Sequence, residues 1–275
     1  MEKLQSAIAK ARARRGDAPP VPGGAPAPRP DRPAKGTDAD AAWADLPLAE
    51  PETARLLAQR IVAGTRDRAA SEFDKLRTRM LQRMQSQNWR RVAITSPGAA
   101  SGKSTIALNL GFSLARQQTI RTIICEMDLR RPSLARMLGT PPELDFARVL
   151  SGNAPFADHA VRLRDNLAVG VARGHVERSA ELLQAARTGQ VLDAIQERYA
   201  PTLMLFDMPP FQVSDDTLAF ADKVDCVLIV AAAGSTSVAQ IDACERDLSE
   251  RTEILGVVLN KCRHMPADEG YDYYG

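Results

Sequence analysis

The sequence predicts an α/β fold, with a mostly parallel central sheet flanked by helices on both faces. Three observations predict it. Beyond Trp89, short and continuously apolar runs alternate with stretches of helical periodicity, the pattern of strands covered on both sides by crossover helices. The first of these runs, Arg91 to Thr95, passes through small residues directly into a helical stretch with Ile106, Leu110 and Leu114 on one side. Acidic residues also stand where later runs stop, and ligands of such sheets gather at the carboxyl ends of the strands.

The totals set bounds. A chain of 275 residues with 44% hydrophobic and 25% charged residues fits one sizeable domain plus an appendage. The net charge of +2 decides nothing about nucleic acid, but no basic block with interleaved aromatics occurs, so no nucleic-acid partner is expected. Cys125, Cys226, Cys244 and Cys262 lie far apart without a C-x-x-C, which reads as free thiols in a reducing compartment. His159, His175 and His264 are isolated and read as surface or loop residues. No apolar run has the length of a membrane span, and the N-terminus lacks the apolar core of a signal peptide. A cytoplasmic chain is expected, unless a partner holds it at the membrane.

Taken in order, residues 1–16 form a short basic helix with Leu4, Ile8 and Ala11 on one face, for docking, for a membrane surface or simply solvated. Residues 17–45 are a Pro/Ala-rich stretch that cannot bury a core and reads as a disordered linker. The main domain spans 46–265, and 266–275 is a tyrosine-rich tail. Helical spacing covers Thr53–Val62 and Glu72–Met84, where Phe73, Leu76, Met80 and Met84 share a face. Strands are expected at Val92–Thr95, Thr122–Met127, Leu203–Asp207, Val224–Ala231 and Leu255–Asn260, with a short one near Leu167–Val171. Helices are expected at Ser104–Gln117, Ser133–Leu138, Ala180–Arg198, Asp215–Ala221 and Val238–Glu250. The stretch 139–165 follows neither period.

The first strand-to-helix loop reads Ser96-Pro97-Gly98-Ala99-Ala100-Ser101-Gly102-Lys103-Ser104-Thr105. Small residues let successive backbone N–H groups close around a phosphate, and the helix N-terminus adds partial positive charge. Lys103 can reach the outer phosphates and the Ser104 hydroxyl a Mg²⁺ ion. Pro97 stands where G-x-x-x-x-G-K-[ST] has its first glycine, so the turn is expected to use Gly98 instead. The next run ends in Glu126-Met127-Asp128-Leu129-Arg130-Arg131-Pro132, and a later one in Asp207-Met208-Pro209-Pro210. An acid after a strand beside the phosphate loop can hold Mg²⁺, and of two acids spaced i, i+2 one can hold metal while the other takes a proton from a hydroxyl.

These motifs, in this order, resemble the cytoplasmic domain of bacterial tyrosine kinases (BY-kinases) of exopolysaccharide and capsule systems, P-loop NTPases related to MinD and ParA. The resemblance runs from about Phe73 to Gly275. It implies that residues 98–105 form Walker A, that Asp128 lies in Walker A′ and that Asp207 is Walker B. It further implies ATP and Mg²⁺ as cofactors, with Gly98, Ala99, Ala100, Ser101, Gly102, Lys103, Ser104 and Thr105 around the phosphates. Ser104, Asp128 and Asp207 would hold the metal, and Asn260 would read the purine ring. Lys103, Glu126, Asp128 and Asp207 would be the catalytic set. Glu126 falls where the family has an Asp that helps activate the tyrosine hydroxyl, and its extra methylene shifts the oxygen on the scale that matters for transfer.

Three of the four tyrosines, Tyr271, Tyr273 and Tyr274, lie in the last five residues. The family ends in such a cluster and phosphorylates it in trans within a homo-oligomeric ring. Each phosphate brings about −1.5 to −2 charge, which beside Asp268, Glu269 and Asp272 would favour release of the tail. The resemblance also implies a membrane polysaccharide co-polymerase as activator and a cognate phosphotyrosine phosphatase. The family's ring signature, Glu-x-x-Arg-x-x-Arg, is only partly present: Arg77 matches, while Asp74 and Ser71 replace the first Arg and the Glu. Arg130 and Arg131 are candidate phosphate or intersubunit contacts. Two readings follow, an autokinase and a nucleotide-switched scaffold of the same system. A partitioning ATPase is disfavoured, because Gly98 stands where those proteins have a second lysine.

Overall fold

The apolar runs become strands because only burial on both faces satisfies them. The computed structural model describes residues 37–65 and 68–262, so the basic segment 1–16 and the tail with Tyr271, Tyr273 and Tyr274 lie outside the described residues. β1 (Arg91–Thr95), β2 (Thr122–Glu126), β5 (Leu203–Asp207) and β6 (Cys226–Ala232) are buried throughout. Their side chains alternate between two cores, Val92, Ile94 and Ile124 entering one and Ala93, Ile123 and Cys125 the other. With β3 (Ala160–Arg164), β4 (Leu167–Gly170) and β7 (Glu253–Asn260) they form a seven-stranded sheet in the order β3-β4-β2-β5-β1-β6-β7. Only the β3–β4 pairing is antiparallel.

The helices of the described residues are α1 (Thr37–Ala44), α2 (Thr53–Ala58), α3 (Arg68–Ser86), α4 (Lys103–Ala115) and α5 (Leu134–Leu138). They continue with α6 (Phe146–Leu150), α7 (Ser179–Gln184), α8 (Ala186–Tyr199), α9 (Asp216–Phe220) and α10 (Val238–Ser249). α4 is apolar nearly all round because it is buried against the sheet, from Ile106 to Leu114.

Four departures from the sequence reading have physical causes. α1 lies within the stretch 17–45 that composition assigns to a linker. It is fixed by Trp43, 2% exposed, whose Nε1 donates to the Tyr199 carbonyl (2.6 Å) while the two rings meet edge to face. α2 stops at Ala58 because buried Asn109 captures the chain after it. Its Oδ1 accepts from the amides of Val62 and Ala63 (2.8 and 2.9 Å), and its Nδ2 donates to the Arg60 carbonyl (3.0 Å). The helix expected over 180–198 breaks at Ala185, which is extended (φ −53°, ψ 141°). Residues 139–165 hold α6 and β3; the outer edge of β3 is covered by residues 47–49 through bonds of 2.8 Å between Ala49 N and Arg162 O and between Arg162 N and Pro47 O. The cysteines are as expected, with Cys125, Cys226 and Cys244 buried free thiols and Cys262 exposed. His159 lies in a loop, as expected, but a buried one: it is 6% exposed and its Nδ1 accepts the Asp145 amide at 3.0 Å.

Candidate functional site

β1 feeds the loop Ser96 to Gly102, which two hydroxyls fold onto one carbonyl. Ser96 Oγ and Ser101 Oγ donate to Gly98 O at 2.7 and 3.0 Å. The turn expected at Gly98 falls elsewhere. The left-handed residues are Ala100 (φ 58°) and Gly102 (φ 92°), because the two serines pin the Gly98 carbonyl and postpone the reversal until after it. Gly102 is the N-cap of α4, and no side chain fits there: a Cβ would stand 2.3 Å from Asn260 Nδ2. From Gly98 to Thr105 no backbone N–H donates a hydrogen bond among the described residues. Ser101 and Lys103 in this run are buried while Ala99 and Ala100 are exposed, and a run of free amides ending at a helix N-terminus is suited to cradle an anion.

Three strand tips bring the acids to this cradle. In the sheet register Asp207 stands opposite both Ile94 and Glu126, and its carbonyl accepts the amides of Met127 (2.9 Å) and Asp128 (3.1 Å). Lys103 is 7% exposed, held between the loop and these tips. Asp207 is fully buried. Burial pushes its carboxyl up to about 6; the Lys103 ammonium and the Ser104 hydroxyl pull it back and Asp128 pushes it further. Although Ser104 is near enough to favour the ionised form, neither Asp207 oxygen has a hydrogen-bond partner of good geometry among the described residues. Asp128 is partly exposed and raised by burial, with Lys103 opposing; its Oδ1 accepts the Arg131 amide at 3.0 Å.

Two buried, unpartnered carboxylate oxygens beside a serine hydroxyl and an anion cradle are a donor set suited to a hard divalent cation. Among the described residues no three His, Cys, Asp or Glu side chains form a ready-made metal cluster. A cation here would therefore take Asp207 and Ser104 from the chain and the rest of its oxygens from a bound phosphate or water, as Mg²⁺ does.

Glu126 does something different from what its position in the sequence led us to expect. It is fully buried and faces backbone rather than the cradle. Its Oε1 accepts the amides of Ser133 and Leu134 (the latter at 2.7 Å), and its Oε2 accepts the Ala172 amide at 2.9 Å. Burial pushes this carboxyl up to about 8; the three amides oppose the shift and the neighbouring Asp207 charge adds to it. Glu126 thus ties the start of α5 to the end of β4. That brings in a residue that sequence reasoning passed over: Ser133, whose Oγ donates to Ser104 Oγ at 3.1 Å. Its only signal was its place before an apolar helical run.

The other candidates are placed as follows. Asn260 reaches the site at the end of β7, where its Nδ2 donates to Ser101 O (2.9 Å) and its Oδ1 accepts the Lys261 amide (2.8 Å), so it rests on the loop. Arg130 is a brace. Its Nε donates to Asp216 Oδ2 at 3.1 Å, and the fully buried Asp216 also accepts Ser179 Oγ at 2.9 Å. Arg131 is exposed. The partial ring signature serves intrachain packing: Asp74 Oδ1 accepts from Ser113 Oγ (2.6 Å) and Arg77 Nη1 (3.0 Å), and Arg77 also reaches Ser113 O (2.9 Å), clamping α3 to α4.

No protein-family model matches the chain. Curated proteins do. CapB of Staphylococcus aureus is 24% identical over 208 residues, covering 74% of this chain and 88% of CapB. The tyrosine-protein kinase CpsD of Streptococcus agalactiae is 28% identical over 190 residues, covering 67% and 81%. The chain is thus similar in sequence to bacterial tyrosine kinases. ExoP of Rhizobium meliloti, a succinoglycan biosynthesis transport protein, is 28% identical over 210 residues, but these are 26% of ExoP against 74% of this chain.

Solved structures agree on the fold. The chimerical protein CapA2B2 superposes with a TM-score of 0.67 at 21% identity, covering 82% of this chain and 98% of its own. The kinase domain of Escherichia coli ETK does so at 0.66 and 22%, covering 78% and 85%. The cell-division ATPase MinD of Pyrococcus furiosus follows at 0.52 and 21%, covering 62% and 71%. The fold is that of the P-loop NTPases. Among the described residues no helix is long and apolar enough to cross a membrane.

Proposed function

We propose that the chain is an ATP-dependent protein-tyrosine autokinase of an exopolysaccharide or capsule export system, phosphorylating Tyr271, Tyr273 and Tyr274 of a neighbouring copy. The observation that carries the reading is the pair of buried, unpartnered Asp207 oxygens beside Ser104 at the foot of an open amide cradle. Bound Mg²⁺ and ATP would supply the transferable phosphoryl group and neutralise part of its charge. The chain's own residues do the rest. The amides from Gly98 to Thr105 orient the phosphates, Lys103 balances their charge, and Asp207 with Ser104 holds the cation. Ser133 fixes the Ser104 hydroxyl. With Glu126 committed to three amides, Asp128 is the acid free to take the tyrosine proton, its raised carboxyl bringing it toward the working range of a base. Asn260 sets the height of the loop beneath the nucleotide. A cytoplasmic location, a membrane co-polymerase that activates the chain, assembly into a homo-oligomer and a phosphatase that resets the tail belong to the same reading, supported by relatives named as a tyrosine-protein kinase and as a succinoglycan biosynthesis transport protein.

A second reading, a nucleotide-switched scaffold with little transfer activity, is favoured by the burial of Glu126 away from the cradle. One experiment separates the two. Purified chain carrying Lys103→Met, with its tail intact, is mixed with chain whose three tail tyrosines are changed to Phe, and Mg²⁺-ATP is added. Phosphotyrosine on the Lys103→Met copy is expected. No phosphotyrosine on either copy, while wild-type chain still binds ATP, would leave the scaffold.

A further inference from the structure

A cleft of about 350 Å³ opens beside the start of α5, lined in part by Arg55, Arg136 and Arg173 with Gly139, Thr140 and Ala172. The three arginines arrive from separate segments: α2, α5 and the chain after β4. Carbonyl oxygens, not carboxylates, hold two of them. Arg55 Nη1 donates to Arg136 O (3.3 Å), and Arg173 Nη2 donates to Thr140 O (3.1 Å) and Pro141 O (2.7 Å). The Arg136 side chain donates to nothing among the described residues, and none of the three is ion-paired there. Elsewhere the chain treats such arginines differently: Arg91, Arg121 and Arg130 each face an aspartate.

Carbonyl dipoles fix where a guanidinium sits without cancelling its charge, so three positive charges remain concentrated at one opening. Two polar atoms of the lining are also unsatisfied. Thr140 is 8% exposed and its Oγ1 has no hydrogen-bond partner among the described residues; the same holds for Arg173 Nε. Gly139 completes the turn between them in the left-handed region (φ 70°), and a Cβ there would stand 2.9 Å from Arg55 Nε, so any side chain would displace that arginine.

We propose that this cleft is a second anion site, which binds a phosphate monoester. Planar guanidinium forks match phosphate oxygens in pairs, and three forks with a hydroxyl suit a tetrahedral dianion better than a single carboxylate. The volume lies within the range of small-ligand pockets, about 300–1,000 Å³, which leaves room for the organic group of the ester. The cleft is distinct from the loop 96–105, none of whose residues lines it; Glu126 bonds the Ala172 amide of the cleft lining and the Leu134 amide at the start of α5. It does not depend on the kinase reading. The ester's source is either a phosphotyrosine or a sugar phosphate, which share this chemistry.

The test is calorimetric titration of the full chain, with the phosphate loop filled by Mg²⁺-ADP, against O-phosphotyrosine, glucose 1-phosphate, tyrosine and glucose. At least one phosphorylated compound is expected to bind saturably, with no heat from the two unphosphorylated ones. Stronger binding of O-phosphotyrosine assigns a protein source, and stronger binding of glucose 1-phosphate a sugar source. Arg136→Gln, on an exposed side chain with no internal hydrogen bond, is expected to weaken binding roughly tenfold or more and leave ADP affinity unchanged. Arg55→Gln, also exposed, repeats the test should the first variant fold poorly. Absence of saturable binding, or binding that neither substitution weakens, would overturn the proposal.

Discussion

A methyl group at Gly102 would stand 2.3 Å from the Asn260 amide nitrogen, and the residue's φ of 92° is one that L side chains avoid. Gly102→Ala must therefore push Asn260 off the loop or twist the loop itself, and either change misplaces the amides that face a phosphate. We expect it to lower ATP affinity at least tenfold in a direct binding assay, while the sheet stays folded by circular dichroism. Asp207 makes a different prediction. Its carboxyl rises from 3.8 to about 6 in the folded chain, so over that interval the folded state keeps a proton that the unfolded state has lost. Stability is then intact below the lower value and declines as pH rises through the higher one. Asp207→Asn removes this burden without changing shape. The variant is expected to gain melting temperature over the wild type as pH rises from 3.8 to about 6, to keep that gain at higher pH, and to lose Mg²⁺-dependent nucleotide binding. A gap that does not change with pH would contradict it. At this scale the sequence disclosed Lys103, Ser104 and Asp207 because each follows a strand or a small-residue loop. It did not disclose Glu126, whose orientation depends on an amide 46 residues away at Ala172.

At the scale of elements, legibility followed locality. β1, β2, β5 and β6 were readable because continuous apolar runs need no partner to be recognised as buried strands. β3 was not, since Ala160-Val161-Arg162-Leu163-Arg164 interleaves charges and pairs antiparallel near the rim of the sheet. α1 was hidden for another reason. Thr37–Ala44 is small and polar except for Trp43, and what makes it a helix of the domain is a contact with Tyr199, 156 residues further along. That contact is open to measurement. Trp43→Ala removes a side chain 2% exposed together with its hydrogen bond, and the expected cost in urea unfolding is about 3–5 kcal/mol, the range for large aromatic truncations in a core. A cost within about 0.5 kcal/mol, as for a surface residue, would return α1 to the linker that its composition suggests. The helix α4 was read nearly to its ends, because a glycine N-cap and an apolar face are both local signals.

For the whole molecule, the parallel sheet is what makes a site from segments far apart in sequence. Carboxyl ends of β1, β2 and β5 come together only because those strands are neighbours running in one direction, and β7 adds Asn260 from the end of the described chain. The order of motifs along the chain was therefore enough to anticipate the fold and the cradle. The incomplete ring signature has a different use in this chain, since Asp74 and Arg77 hold α3 to α4. The central claim is that the cradle and the Asp207 carboxylate act together on a magnesium nucleotide. Equilibrium binding of ATP to the full chain, with and without Mg²⁺, for wild type and Asp207→Asn, tests it most directly. Tight binding by the wild type that weakens at least tenfold when Mg²⁺ is withheld is expected, together with an Asp207→Asn chain whose weaker binding no longer responds to the ion. Equal affinity in all four measurements would contradict it.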